Sequence, residues 1–365
     1  MGLVFIQSFL FLIGNVLSDI AYVMVDPMIE YLIKNDVTLK RWRRFKQRRL
    51  AVISGWLLAI ACAFSFSAEW WANSRPVLLK WQGEYYFPVI VDYSAATFAQ
   101  TDTVIPDYRS IDLSGDSWAV WPIIKWDPFE SNKKVDRYPA EPSKDNWFGT
   151  DDRGRDIAAR LLYGLRYSMT YAILVWLITF TFGTLAGGFM GWRGGAIDFW
   201  GQRVVEVLST VPQFFLLIII ISIFKPSLFL LVFISCIFGW ISISYYIRAE
   251  FLKNRKKEFV EGARAVGASH MRVFFRHLLP NSLGPLITFS PFVISGNIVA
   301  LASLDYLGFG LTPPTPSWGE LLNQAQRHFT VGWWLAVYPA LCLFLTLTML
   351  SLIGEATRDA MDPKL

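Results

Sequence analysis

The sequence predicts an all-α integral membrane protein: a bundle of six spanning helices with a small extracytoplasmic insertion. Composition, apolar segments and the placement of basic residues carry this reading. Of 365 residues, 54% are hydrophobic and only 17% charged, where an average soluble protein carries about 25% charged. The charges are also segregated. Long stretches hold none and others are crowded with Lys and Arg, as a bilayer requires, since a charge at its centre costs on the order of a few kcal/mol. The net charge of +5 does not point to nucleic acid, because the cations cluster just outside apolar segments, where they suit a cytoplasmic membrane face.

A spanning helix needs about 20 mostly apolar residues. Six segments qualify: Leu50–Trp71, Tyr167–Gly191, Val204–Phe224, Ser227–Ile247, Leu283–Leu304 and Trp333–Ile353. The third carries Glu206 near its start and Pro212; the fifth carries Pro285 and Pro291. A proline within a span breaks a backbone hydrogen bond that neighbouring helices must make good, so these two helices are expected to face the bundle.

Orientation follows from the flanks. Residues 34–49 hold eight Lys/Arg against one acid, and residues 248–281 hold eight against three. An even number of spans separates them, so both sit in the cytoplasm, and residues 72–160 lie outside. The 192–203 loop falls inside, the 305–332 loop outside and the 356–365 tail inside. The chain is expected to cross its membrane several times.

The chain therefore divides into an N-terminal apolar segment 1–33, a basic cytoplasmic segment 34–49, a first helix 50–71, the insertion 72–160, a core transmembrane domain 161–355 and the tail 356–365. The insertion is polar and rich in Trp, Tyr, Pro and Asp, and runs such as WQGEYYFPVIV read as short strands and turns. Its aromatics Trp81, Tyr85, Tyr86 and Phe87 are expected to pack it against the bundle or an external partner.

The cysteines Cys62, Cys236 and Cys342 lie in apolar segments without CxxC spacing, which argues against a disulfide framework or a zinc site. His270, His277 and His328 have no second ligand at metal spacing. Asp151, Asp152 and Asp156 suggest a cation site, but Arg153 and Arg155 interleave with them and are expected to neutralise them. Gly149 and Gly154 are spaced as in a phosphate loop without the Lys-Ser/Thr that should follow, and no Walker A sequence occurs. In Gly308-Phe309-Gly310, followed by Pro313, Pro314 and Pro316, the residues build a rigid external turn. Glu206 is expected to line a pathway or to snorkel to the interface.

The most informative segment is EFVEGARAVGASHMRVFFRHLLPN, residues 258–281. Glu261 to Val266 reads as a short helix with small residues at Gly262, Ala263 and Ala265. Gly267 can take a left-handed conformation and turn the chain. A second short helix follows, and Pro280 marks the boundary before the next span. Small residues let another protein approach closely, so the segment describes a docking element along the membrane face.

This segment resembles the EAA loop of importer-type ABC permeases, matching it at Glu261, Ala263, Gly267, Leu279 and Pro280 and departing from it at Gly262, where the family has Ala. Two further segments narrow the resemblance. NWFGTDDRGRDIAARLLYGLRYSM (146–169), and SLDYLGFGLTPPTPSWGELL (303–322) with GEATRDAMDPK (354–364), are similar to the second (C-type) permease of dipeptide and oligopeptide importers. The aromatic insertion is most like that of microcin C–type permeases. The resemblance covers about residue 40 to the end. It implies a MetI-like bundle, located in a bacterial plasma (inner) membrane, that catalyses nothing and binds no cofactor or metal. It also implies a homologous B-type permease as partner, two ATP-hydrolysing subunits beneath docked on Glu261, Gly262, Ala263, Ala265, Gly267, Leu279 and Pro280, and a solute-binding protein above. The solute would be a peptide or peptide-like molecule.

A rival reading places a membrane-anchored enzyme in 72–160, but that segment has no His and no Cys. The first 33 residues stand apart. LIGNVLSDIAYVMVDPMI resembles the end of a B-type permease. It also echoes this chain's own end, Leu12-Ile13-Gly14, Asp19 and Asp26-Pro27 against Leu352-Ile353-Gly354, Asp359 and Asp362-Pro363. A fusion remnant, a start placed too far upstream or a seventh span would each explain it.

Overall fold

The computed structural model describes residues 36–100 and 104–362; the expectation for 1–33 lies outside them. In chain order the helices are α1 (Asp36–Gln47), α2 (Arg49–Phe66), α3 (Ala68–Trp71), α4 (Ile157–Arg193), α5 (Gly195–Ser209), α6 (Gln213–Ile223), α7 (Leu228–Asn254), α8 (Glu258–Ala265), α9 (His270–Arg272), α10 (Leu279–Ser282), α11 (Gly284–Tyr306), α12 (Trp318–Arg327) and α13 (Trp333–Met361). Strands β1 (Leu78–Trp81), β2 (Glu84–Tyr86) and β3 (Trp118–Val120) lie between α3 and α4. Among the described residues, α2, α4, α7, α11 and α13 are each long and apolar enough to cross a membrane, and the pair α5–α6 is a sixth candidate. The chain is a mostly helical membrane protein, as the sequence predicts.

The third expected span differs from its forecast. The apolar run 204–224 is not one helix but two, meeting at an angle of 65°. Pro212 stands at the break as the N-cap of α6. It has no N–H to give the helix, and it disfavours helical geometry at Val211. The expected 192–203 loop is likewise largely helix. Only Gly194, with φ of +64°, separates α4 from α5, whose first residue, Gly195, is also left-handed at +58°. The second span also extends beyond its forecast. α4 has 37 residues, about 55 Å at 1.5 Å per residue, against a hydrocarbon core of about 30 Å.

The chain divides into two compact units. The first comprises residues 36–59, 170–300 and 345–362 of the described chain. Its tightest packing is a glycine seam on α4. A Cβ at Gly183 would fall 2.8 Å from the Trp240 carbonyl, and one at Gly191 would fall 2.7 Å from that of Arg248. At Gly187 a Cβ would overlap the backbone of Ser244 outright. The four-residue spacing puts all three on one face of α4, and their missing side chains let α7 pack backbone to backbone, in the manner of small-residue helix pairs in membranes. Asp198 on α5 ties to the same helix, accepting from Arg248 at 2.5 and 2.7 Å.

The second unit comprises residues 60–169 and 301–344. Its sheet is antiparallel, in the order β2-β1-β3. Leu79 pairs with Tyr86 and Ala119, and this face covers a core of Leu79, Phe98, Tyr108 and Ile111. Trp81 and Tyr86 pack on that core, so two of the four aromatics expected to grip the bundle or a partner instead build the insertion's own interior. Tyr85 and Phe87 are exposed.

Candidate functional site

The segment 258–282 folds on the first unit as a helix, a turn and a second helical run. α8 ends in a paired hydrogen-bond cap: Ala268 N–H donates to the Ala263 carbonyl at 3.0 Å and Gly267 N–H to that of Arg264 at 2.9 Å. This closure needs a left-handed residue just past the helix end, and Gly267 supplies it with φ of +81°. Ser269 then caps the next helix, its hydroxyl accepting from Arg272 N–H at 3.4 Å.

One face of this element is anchored. Val260, Val273, Phe274 and Leu278 are buried with Ile247 and Phe251 of α7, and Leu279 packs against them. Ala263 belongs to this buried face as well, so it is a packing residue here and not part of an outward docking surface. The opposite face is open. Glu261, Gly262, Ala265, Gly267 and Pro280 are exposed, and a Cβ at Gly262 or Gly267 would meet nothing within 4 Å. Val266 is 85% exposed, with Met271 and Phe275 exposed beyond it. Sequence reasoning missed these three. Their signal was their apolar character in a segment otherwise rich in charge.

Pro280 does not end the run. Residues Val273–Leu278 form a π-helical turn, in which Leu279 N–H donates to the Phe274 carbonyl. α10 follows directly, with Pro280 in its first turn, and the chain passes into α11 only after Ser282. The run is continuously helical through Leu278, so Pro280 withholds one backbone donor without ending it.

On the second unit, the interleaved charges of 151–156 resolve into a buried cluster. Asp151 accepts from Arg155 Nε at 2.7 Å, and Arg160 Nε lies 3.4 Å from the same carboxylate. Both arginines also meet Glu320 of α12. Arg160, fully buried, further donates to the carbonyls of Pro128 and Pro314 at 3.1 and 3.2 Å. Asp152 and Arg153 make a looser contact of 4.0 Å. Asp156 pairs with no arginine; it caps α4 by accepting from Ala159 N–H at 2.8 Å and takes a bond from Asn146 at 2.8 Å. Burial pushes its carboxyl up to about 6. By contrast, Arg166 donates twice to Glu69 at 2.8 Å and holds that carboxyl below its ordinary range. Arg160 and Glu320 were not singled out from sequence, because their partners lie far away in the chain.

The Gly308-Phe309-Gly310 turn is built around Asp305. Its carboxylate accepts from Leu311 N–H at 2.6 Å and from the Ser317 hydroxyl at 2.5 Å. Gly308 has φ of +81°, and a side chain at Gly310 would collide with the Asp305 carboxylate. Glu206 is half-buried and pairs with Arg203 at 2.6 Å. The three cysteines are free and half-buried, and no group of three or more metal-ligating side chains occurs among the described residues.

A multi-helix membrane bundle with an anchored, outward-facing helix–turn–helix describes a transport subunit. Residues 183–365 match the family described as binding-protein-dependent transport system inner membrane component, and residues 40–85 match the N-terminal transmembrane domain of oligopeptide transport permease C. The chain is 37% identical over 332 residues to the inner membrane ABC transporter permease protein YejE of Escherichia coli (strain K12), covering 90% of this chain and 97% of that protein. It is 36% identical over 360 residues to the peptidoglycan transport system permease protein YejE of Agrobacterium fabrum (strain C58 / ATCC 33970), covering 90% and 93%. The dipeptide transport system permease protein DppC of Bacillus subtilis (strain 168) is 33% identical over 225 residues, covering 61% and 70%. The chain belongs to the family of binding-protein-dependent transport system inner membrane components. It is a multi-pass inner-membrane permease subunit of an ABC importer and not an enzyme, which removes the reading of 72–160 as a catalytic domain.

Proposed function

We propose that this chain forms half of a translocation pathway for peptides or peptide-like solutes, and that residues 258–281 couple it to separate ATP-hydrolysing subunits. A homologous permease supplies the other half, and a solute-binding protein delivers the solute from outside. The chain itself binds no cofactor; ATP is spent by its partners. Support for the solute class comes from the relatives, named for peptidoglycan and dipeptide transport.

The observation that carries the coupling assignment is the open facet of Gly262, Ala265 and Val266 on an element whose other face is rigidly packed. An exposed valine on a charged segment favours a partner surface, and its fixed backing suits the transmission of a push. Glu261, Gly267 and Pro280 border that facet, while Ala263 and Leu279 hold it from behind. The test is co-purification of the ATP-hydrolysing subunits with the wild-type chain and with Val266→Glu, alongside uptake of a labelled tripeptide. Loss of the ATPase and of uptake, with the permease present at normal level, is expected. Unchanged capture and unchanged uptake would remove the coupling role from this loop.

A further inference from the structure

We propose that the external insertion carries a binding pocket for a small organic anion bearing several carboxylate or phosphate groups. The insertion contains a cavity of about 320 Å³, lined by Arg109, Lys125, Trp126, Lys134, Lys144 and Trp147 among others. A second cavity of about 560 Å³ shares Arg109, Trp126 and Lys134 with it and adds Lys133. These volumes suit a ligand of a few residues or sugar units.

The pairing of charges sets this place apart. Within the described part of the insertion, Arg75, Lys80, Arg109, Arg137, Arg153 and Arg155 each have a carboxylate within 4.0 Å. The remaining cations up to the start of α4 are Lys125, Lys133, Lys134 and Lys144. None of these four makes an ion pair among the described residues, and all four line the two adjoining cavities. Unpaired ammonium groups around a concave, low-dielectric wall focus a positive potential into it.

The acids nearby offset this field only in part, since Arg109 and Glu130 neutralise each other and the four lysines still outnumber the carboxylates left without a cation. Glu130 is taken by Arg109 at 2.6 and 3.0 Å. Asp156 is held by Ala159 and Asn146, and Asp107 accepts from Arg109 N–H at 3.1 Å. Asp145 alone stands exposed and unengaged through its side chain. Arg109 also lies 4.0 Å over the Trp126 ring, so the floor is fixed. Trp147, 53% exposed at the rim, offers an apolar face beside the lysines. Each lysine brings three donors and no acceptor, which selects anions, and the tryptophan adds area for the non-polar body of the ligand. Concavity favours a small molecule over the face of a protein.

The test is isothermal titration of the purified full-length chain in detergent with triglutamate, inorganic phosphate and trilysine. Triglutamate, phosphate or both should bind, with affinity falling as salt rises, and trilysine should not. The arm that binds distinguishes a carboxylate-bearing ligand from a phosphate-bearing one. The triple variant Lys125→Gln/Lys134→Gln/Lys144→Gln should lose about tenfold or more in affinity, since each exposed pair contributes modestly. Lys80→Gln, which touches a cation already paired with Asp116, should bind as wild type does. Absence of binding by the wild-type chain, or equal affinity in the triple variant, overturns the proposal. Weaker capture of a solute-binding protein by the triple variant, with no anion bound by the wild type, would reassign the lysines to protein docking and also overturn it.

Discussion

Arg160 and Glu320 meet as an ion pair although 160 positions separate them in the chain, and the arginine is completely buried. The same guanidinium holds the carbonyls of Pro128, Pro314 and Thr315. One side chain thus ties the start of α4 to the insertion and to the loop before α12. Breaking a buried pair from one side strands the other charge, at a cost of about 3–5 kcal/mol. Glu320→Ala is expected to lower the thermal midpoint of the purified protein markedly. Arg160→Met combined with Glu320→Leu should recover part of the loss. A single variant as stable as wild type would show that the cluster is solvated in solution.

The pH dependence of this unit should carry a signature from Asp156. Its carboxyl is raised from 3.8 to about 6 in the fold, so between those values the folded protein binds the proton more tightly than the unfolded chain. Stability from this group is therefore fully present below about pH 4 and is lost as pH rises toward 6. By 1.36 kcal/mol per pKa unit, the swing is roughly 3 kcal/mol. Glu69, shifted the other way, loses its contribution as pH falls. Subtracting the unfolding profile of Asp156→Asn from that of wild type isolates the first effect. A difference flat from pH 4 to 7 would contradict it.

The glycine seam predicts a contrast between two positions of the same residue type. Gly187→Val would drive a side chain into the Ser244 backbone, where neither helix can yield without repacking, a cost of about 1–3 kcal/mol or more. Gly262→Ala places a methyl in open space and gains up to about 1 kcal/mol of helix propensity. Size-exclusion profiles and uptake should show Gly187→Val depleted or aggregated and Gly262→Ala normal. Equal behaviour of the two would remove the steric argument.

What could be read from residues alone followed the range of the forces involved. The spans were legible because hydropathy and flanking charge act locally, and so was the turn at Gly267, where a glycine ends a helix pattern. The break in the third span was signalled by Pro212, but apolar content alone joined its two halves. The inward face of Ala263 required knowing that α8 packs on Phe251 and Phe274, a matter of tertiary contact. Of the aspartates at 151–156, Asp151 was correctly matched with Arg155, whereas Asp156 caps α4 and pairs with no arginine. Glu320, however, arrives from a distant helix that no local pattern announces. The seam at Gly183, Gly187 and Gly191 was present in the spacing and went unread, since its meaning depends on what crosses it.

The turn at Gly267 offers the sharpest test of coupling, because its geometry and exposure separate folding from transmission. With φ at +81°, the residue closes the cap of α8 and fixes the angle at which the chain enters the next helix. A β-branched residue in that conformation costs about 1–3 kcal/mol, and the chain can relieve the strain by opening the bonds from Gly267 and Ala268 to Arg264 and Ala263. The anchoring contacts of Val260, Val273 and Leu278 lie on the opposite face and should hold the element on the bundle. Gly267→Val is therefore expected at normal levels in the membrane but with uptake reduced at least tenfold. Its ATPase partner should be either released or active without regard to solute. Gly267→Asn, a residue that tolerates the left-handed region better, should retain a large part of the activity. Transport by Gly267→Val equal to wild type, measured in membranes with every partner present, would show that the angle at this turn plays no part in coupling.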